Sequence, residues 1–214
     1  MHIESGGVKR VYTPKSFEVN ERETLYEWME QNSFAILFSQ KGDEPFATHL
    51  PLLLDRNEGC LYGHFAKANT HWENIESEVL AVFSGAHSYI SPSWYETPNS
   101  VPTWNYVAVH VYGYLELIED NKRLMKLLND SVNFYESGQP DRWDISKANY
   151  NFIDNLTKGI IGFKIQIKRI EGKWKLSQNH SKERQERVIN ALELQPDDNS
   201  KQIAKLMKEN FKTL

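Results

Sequence analysis

From Thr103 to Ile118 the chain alternates without a proline: Val107, Val109, Val111, Leu115 and Leu117 fall on one side, and Trp104, Tyr106, His110, Tyr112 and Tyr114 on the other. A period of two predicts a β-strand, and the length of the run predicts the extended, twisted strand of a barrel. A solvent-facing side would ordinarily carry Lys, Glu and Thr, so the aromatic side predicts a strand covered on both faces. The segment 160–170, IIGFKIQIKRI, is the contrasting case. There Ile161, Phe163, Ile165 and Ile167 alternate with Gly162, Lys164, Gln166 and Lys168, which predicts one wet face.

Shorter runs extend the pattern. SFAILFSQ (33–40) and PFATHLPLLLD (45–55), separated by a turn containing Gly42 and Asp43, predict a hairpin. GCLYGHFA (59–66) and EVLAVFSG (78–85) predict a third and a fourth strand, with a short helix over 70–76 between them. Leu25, Trp28 and Met29, at helical spacing behind the Asn20 and Glu23 of a capping box, predict a helix over 21–32. Leu124, Leu127, Leu128 and Val132 predict a helical insertion at about 120–158. Val188, Ile189 and Leu192, then Ile203, Leu206 and Met207, predict two helices broken at Gln195-Pro196-Asp197-Asp198. The expected architecture is α+β: a β-barrel core of about six strands with peripheral helices, over 1–177, and a helical tail, 178–214, packed on the same domain.

Composition narrows the class of protein. With 214 residues, 40% hydrophobic and 25% charged, the chain suits a folded globular protein with a substantial core. A net charge of -4 argues against a surface built throughout to coat nucleic acid. Cys60 is the only cysteine, which excludes an intramolecular disulfide and a cysteine-based zinc site. The N-terminal MHIESGGVKR has no apolar core behind its charges, and no segment is apolar for long enough to span a bilayer, so a cytoplasmic protein is expected.

Candidate chemistry gathers in three places. GHFAKANTHW (63–72) stands where a strand gives way to a helix, a place where backbone N–H groups and a cation can hold a phosphate. Lys67 would be the point charge, His64 a donor and Asn69 a side-chain amide; the alternative for Lys67 is a solvated surface cation. In THLP (48–51), Thr48 and His49 point to opposite faces of an apolar strand, and Pro51 marks an edge, a bulge or the place where a ligand lies against the backbone. His49 equally suits a core histidine with a backbone partner. Histidines at 49, 64, 71, 87 and 110 raise metal or haem ligation, but none has the spacing of a helical metal site. No Ser-His-Asp arrangement, Walker loop or dinucleotide fingerprint is present, so any enzymatic chemistry is expected to reside in a bound cofactor.

The stretch from His87 to Gly113 is dense in aromatics and carries Glu96 as its only charge besides histidine. Trp94, Tyr95, Trp104 and Tyr106 are costly to expose together, so a core, a second subunit or a planar ligand must cover them. The segment 164–187 holds eight Lys or Arg against three Glu, which suits either a solvated face or a surface for nucleic acid.

Five blocks, ATHLPLLLD (47–55), GHFAKAN (63–69), LAVFSGAHSYISPSWY (80–95), VPTWNYVAVHVYG (101–113) and EGKWKLSQN (171–179), in this order and at these distances, resemble the PaiB family of FMN-binding negative transcriptional regulators. The resemblance covers nearly the whole chain. It implies an FMN-binding split barrel, a six-stranded antiparallel β-barrel, a homodimer with flavin sites near the subunit interface, and a repressor role, for which the charge of 164–187 makes that segment the candidate contact with DNA. It also implies Thr48, His49 and Leu50 beside the isoalloxazine, and His64, Lys67 and Asn69 toward the phosphate. Trp94, Trp104 and Asn105 are implied for the ring or the interface. Split barrels also serve as oxidoreductases and haem-handling proteins, which leaves a flavin enzyme, with haem as the minority cofactor, as the alternative. After KLSQN the pattern departs: His180 stands where Arg is common, and no helix-turn-helix is legible.

Overall fold

The computed structural model describes residues 11–75, 77–96 and 99–212. Residues 1–10, expected to hold no apolar core, and the expected helix end at Glu76 lie outside them. The elements run β1 (Glu18–Val19), α1 (Arg22–Gln31), β2 (Phe34–Lys41), β3 (Glu44–Pro51), β4 (Leu53–Asp55), β5 (Cys60–Ala66), β6 (Val79–Ile90), β7 (Thr103–Ile118), α2 (Asn121–Glu136), α3 (Tyr150–Thr157), β8 (Ile160–Lys175), α4 (Lys182–Glu193) and α5 (Asp198–Lys212). One sheet takes the order β3-β2-β6-β7-β8-β5-β4, with β1 paired to β8. Six of its strands are long and two are short additions. The chain is α+β, as its patterning predicts.

Tertiary contacts divide the described chain into two units, 29–82 with 111–170, and 11–28 with 83–110 and 171–212. In the first, β2 and β3 form the expected hairpin, closed by a two-residue turn in which Gly42 takes φ 56°. Only glycine adopts such a φ without cost, which is why the turn can match the twist of the strands. The hairpin register sorts the side chains. Ala35, Leu37 and Ser39 share one face with Leu50, Thr48 and Phe46, and Ile36 and Phe38 share the other with His49 and Ala47. β2 also pairs with β6, and β4 and β8 flank β5. Asp120 caps α2 by accepting from the Arg123 N–H at 2.9 Å, and Leu124 and Leu127 bury its apolar stripe.

In the second unit β1 pairs with the far end of β8, and Trp28 meets Trp174 edge-on at 5.4 Å. Val188 and Leu192 of α4 and Ile203 and Met207 of α5 are buried, the amphipathic pattern that their spacing predicts.

Two strands outrun their sequence signal. β6 reaches Ile90 rather than Gly85, because its alternation slips by one residue: Val79, Ala81 and Phe83 are buried, then Ala86, Ser88 and Ile90. A phase slip of this kind reads in sequence as an end. β8 continues through Gly172 to Lys175, and Gly172 is required there, because a Cβ would collide with Leu25 Cδ2. The aromatic side of β7 is covered only in part. Tyr112 is buried beneath the Arg169 guanidinium, 4.1 Å from its ring, whereas Trp104 and Tyr114 remain about half exposed.

Candidate functional site

The centre of the first unit's polar chemistry is His71. It is buried, set in the turn after β5, with Phe46 and Phe65 against its ring at 5.7 and 5.4 Å. Its Nε2 lies 2.7 Å from Ser39 Oγ and its Nδ1 lies 2.7 Å from Thr48 Oγ1. Asn69 then ties the group to the turn: its Nδ2 donates to Thr48 Oγ1 at 3.2 Å, and its Oδ1 accepts the His71 N–H at 3.0 Å. Burial pushes the His71 pKa down, so the imidazole is neutral. A neutral ring has one donor and one acceptor, and the two hydroxyls supply the complement to both.

This arrangement brings together Thr48 and Asn69, two of the residues nominated from sequence, through a third that was only one of several histidines. A signal for His71 was present in the polar Thr48 on the buried face of an apolar strand, since a buried hydroxyl demands a partner. The sequence could not say which residue would return to it. Lys67 stands at the head of the same turn, exposed, with its N–H donating to the Gly159 carbonyl at 2.8 Å and its own carbonyl accepting from Trp72 Nε1 at 3.2 Å. The turn backbone is thus fixed, and the Lys67 ammonium meets no carboxylate among the described residues.

The other nominated residues are distributed. Leu50 is buried on the Thr48 face, so it offers a ligand its backbone only. His49 is exposed on the opposite face, with the exposed Phe34 ring 6.3 Å away. His64 lines a cavity of about 240 Å³ together with Pro51, Leu53, Leu128, Tyr135 and Trp143. Its pKa is lowered by burial. Tyr135 is anchored by donating to Ser33 Oγ at 3.0 Å, and the Trp143 N–H by the Glu136 carboxylate at 2.8 Å. The insertion thus supplies an aromatic wall that sequence patterning did not nominate.

In the second unit Asn105 is wholly buried. Its amide nitrogen donates to Ser177 Oγ at 3.0 Å and to Met207 Sδ at 3.5 Å, so its side chain fastens the start of the tail and α5. Trp104 is 54% exposed, with His87 and Tyr89 rings 6.1 and 5.9 Å away, and Lys175 Nζ donates to its carbonyl. Trp94 is half-buried in the short turn of helix over Pro92–Tyr95. The cations of 164–187 are largely committed within their own units. Lys164 pairs with Glu116 at 3.2 Å, Arg187 with Glu96 at 3.3 Å, and Lys173 lies 5.4 Å from the Tyr106 ring centroid.

A planar, partly apolar ligand with an anionic end fits what the first unit offers: an apolar slot with one imidazole, and a braced turn whose Lys67 ammonium meets no carboxylate among the described residues. FMN has this character. His64 and the aromatic wall would meet its flat portion, and Lys67 and Asn69 its phosphate.

The fold places the chain in the split-barrel class. It superposes on the flavocytochrome Anf3 of Azotobacter vinelandii with a TM-score of 0.60 and 16% identity, over 78% of this chain and 74% of that one. It also matches the FAD and heme binding protein of Mycobacterium smegmatis, with a TM-score of 0.55 and 12% identity, over 74% and 73% of the two chains. Residues 11–169 match the family described as "Putative FMN-binding domain". The chain is 38% identical to the Bacillus subtilis protease synthase and sporulation protein PAI 2, over 94% of this chain and 99% of that protein. It belongs to this PaiB-type family of FMN-binding domains.

Proposed function

We propose that this protein binds FMN in the first unit and acts as a PaiB-type regulator of transcription. The observation that carries the flavin reading is the braced turn at Lys67, whose ammonium meets no carboxylate among the described residues and whose backbone leads into the Thr48, His71 and Asn69 hydrogen bonds. Neutralising that ammonium isolates its role, because riboflavin is FMN without the phosphate. Lys67→Ala is expected to weaken FMN at least about tenfold and riboflavin hardly at all, as read by flavin fluorescence quenching. Equal loss of both ligands would remove Lys67 from the phosphate, and no binding of either would remove the flavin reading.

The family's regulator role supports a cytoplasmic homodimer whose exposed aromatics around Trp104 cover one another across subunits. DNA contact would fall to Lys182 and Arg184 of α4, which carry no ion pair among the described residues, since several other cations of 164–187 are engaged. Among the described residues no helix is long and apolar enough to cross a membrane. Light scattering tests the dimer. A gel shift on promoter DNA at low salt tests the contact, and an absent shift with intact dimer would sink it.

A flavin- or haem-dependent oxidoreductase is the second reading, favoured by neighbours of this fold that are named for flavin and haem. The absorption spectrum of the purified protein separates the two cofactors, since a Soret band would speak for haem and a flavin spectrum for FMN.

A further inference from the structure

A second cavity of the first unit, about 300 Å³, lies against β4, β5 and α2 and shares only Leu53 with the His64 cavity. Its apolar lining comes from Leu53, Leu117, Ile118 and Leu127, with the Tyr62 ring beside them. Seven charged side chains surround this lining, and pairing sorts them. Lys126 is held by Asp130 at 2.5 Å, and Lys164 by Glu116 at 3.2 Å. Three remain: Asp55, Glu58 and Arg123, none of which has an ion-pair partner among the described residues.

The two carboxylates are held in place without being saturated. Asp55 Oδ1 accepts the N–H groups of Asn57 and Glu58, both at 2.9 Å, which fixes the turn between β4 and β5. Glu58 Oε2 accepts the Tyr62 hydroxyl at 2.8 Å. That hydroxyl keeps its proton, because burial and the adjacent carboxylate push its pKa well above the usual range. Asp55 Oδ2 and Glu58 Oε1 are left as acceptors, and the Arg123 guanidinium as a planar donor. A ligand that completes this set carries an ammonium, a carboxylate and an apolar body between them.

We propose that this cavity binds a free α-amino acid with an apolar side chain, its ammonium on Asp55 and Glu58, its carboxylate on Arg123, and its side chain on the Leu53 and Leu127 surface. The volume suits a molecule of that size. The site owes nothing to the flavin reading, since none of the three charged residues lines the His64 cavity.

The test is isothermal titration of the full chain at low salt with L-leucine and L-phenylalanine, beside isoamylamine and isovalerate, which carry one charged end each. The amino acids are expected to bind, with either half-ligand at least about tenfold weaker. Glu58→Gln and Arg123→Gln, both at exposed positions, are each expected to weaken L-leucine about tenfold while leaving FMN affinity unchanged. No heat with either amino acid up to ~10 mM would overturn the proposal. Isoamylamine binding as tightly as L-leucine would do the same, by showing a simple cation site.

Discussion

His71 in the first unit and Asn105 in the second are both buried polar side chains next to aromatic strands, and they are employed differently. His71 is met by the hydroxyls of Ser39 and Thr48, and Thr48 in turn accepts from Asn69 of the turn headed by the exposed Lys67, so the group ends at the surface. Asn105 is met by Ser177 and Met207, so its group ends in the tail and α5. One burial braces a surface that a ligand can reach, and the other fastens a terminus. Burial alone does not distinguish a site residue from a structural one; the destination of the hydrogen bonds does.

The sharpest way to break this contrast is to truncate each residue and read stability and flavin affinity together. Asn105→Ala strands the buried Ser177 hydroxyl and should cost about 3 kcal/mol in denaturant unfolding, with FMN affinity of the folded protein unchanged. A loss of FMN affinity in folded Asn105→Ala would put Asn105 back at the ligand. His71→Ala should cost less, about 2 kcal/mol, and should also weaken FMN roughly tenfold, because Thr48, which holds the Asn69 amide, loses its imidazole partner. If stability falls and affinity does not, His71 is a core histidine and nothing more.

Acidity gives a milder version of the same test. Burial holds the folded-state pKa of His71 below the ordinary 6.5. Above 6.5 both folded and unfolded chains hold a neutral ring, and the full stability is present. As the pH falls from 6.5 toward the depressed value, the unfolded chain takes up the proton first, so stability is lost over that interval and then levels off. His64, His110 and His180 are lowered for the same reason and add to the slope. Thermal melting between pH 8 and 5 should therefore show a falling Tm, with a shallower fall in His71→Ala. The smallest effect belongs to Tyr95, whose ring is buried 4.7 Å from His180 and whose hydroxyl finds no partner among the described residues. Tyr95→Phe should leave Tm unchanged or raise it slightly, since it removes an unmet donor rather than a bond.

Much of the fold was legible beforehand because alternation and helical spacing are local quantities. β7 was expected over the span it occupies, and α2, α4 and α5 rest on the apolar stripes that predicted them. The ends of β6 and β8 were not legible, since each continues through residues whose local pattern reads as a stop and is held by pairing with strands distant in sequence. The family blocks pointed to Thr48, Lys67 and Asn69, and also to Asn105 and Trp104 for the ring or the interface, because a motif records which residues accompany one another and not where their side chains point.

The order of short apolar runs, the alternation of the long strands and the stripes of the helices are written in the chain, and with them the α+β architecture and the family. The choice of His71 from among the histidines, the assignment of Asn105 to the tail and the trio Asp55, Glu58 and Arg123, without an ion pair among the described residues, belong to the tertiary structure alone. Each depends on which atoms meet across tens of residues, and hydrogen-bond and ion-pair energies are set at distances of about 3 Å that no spacing in sequence encodes.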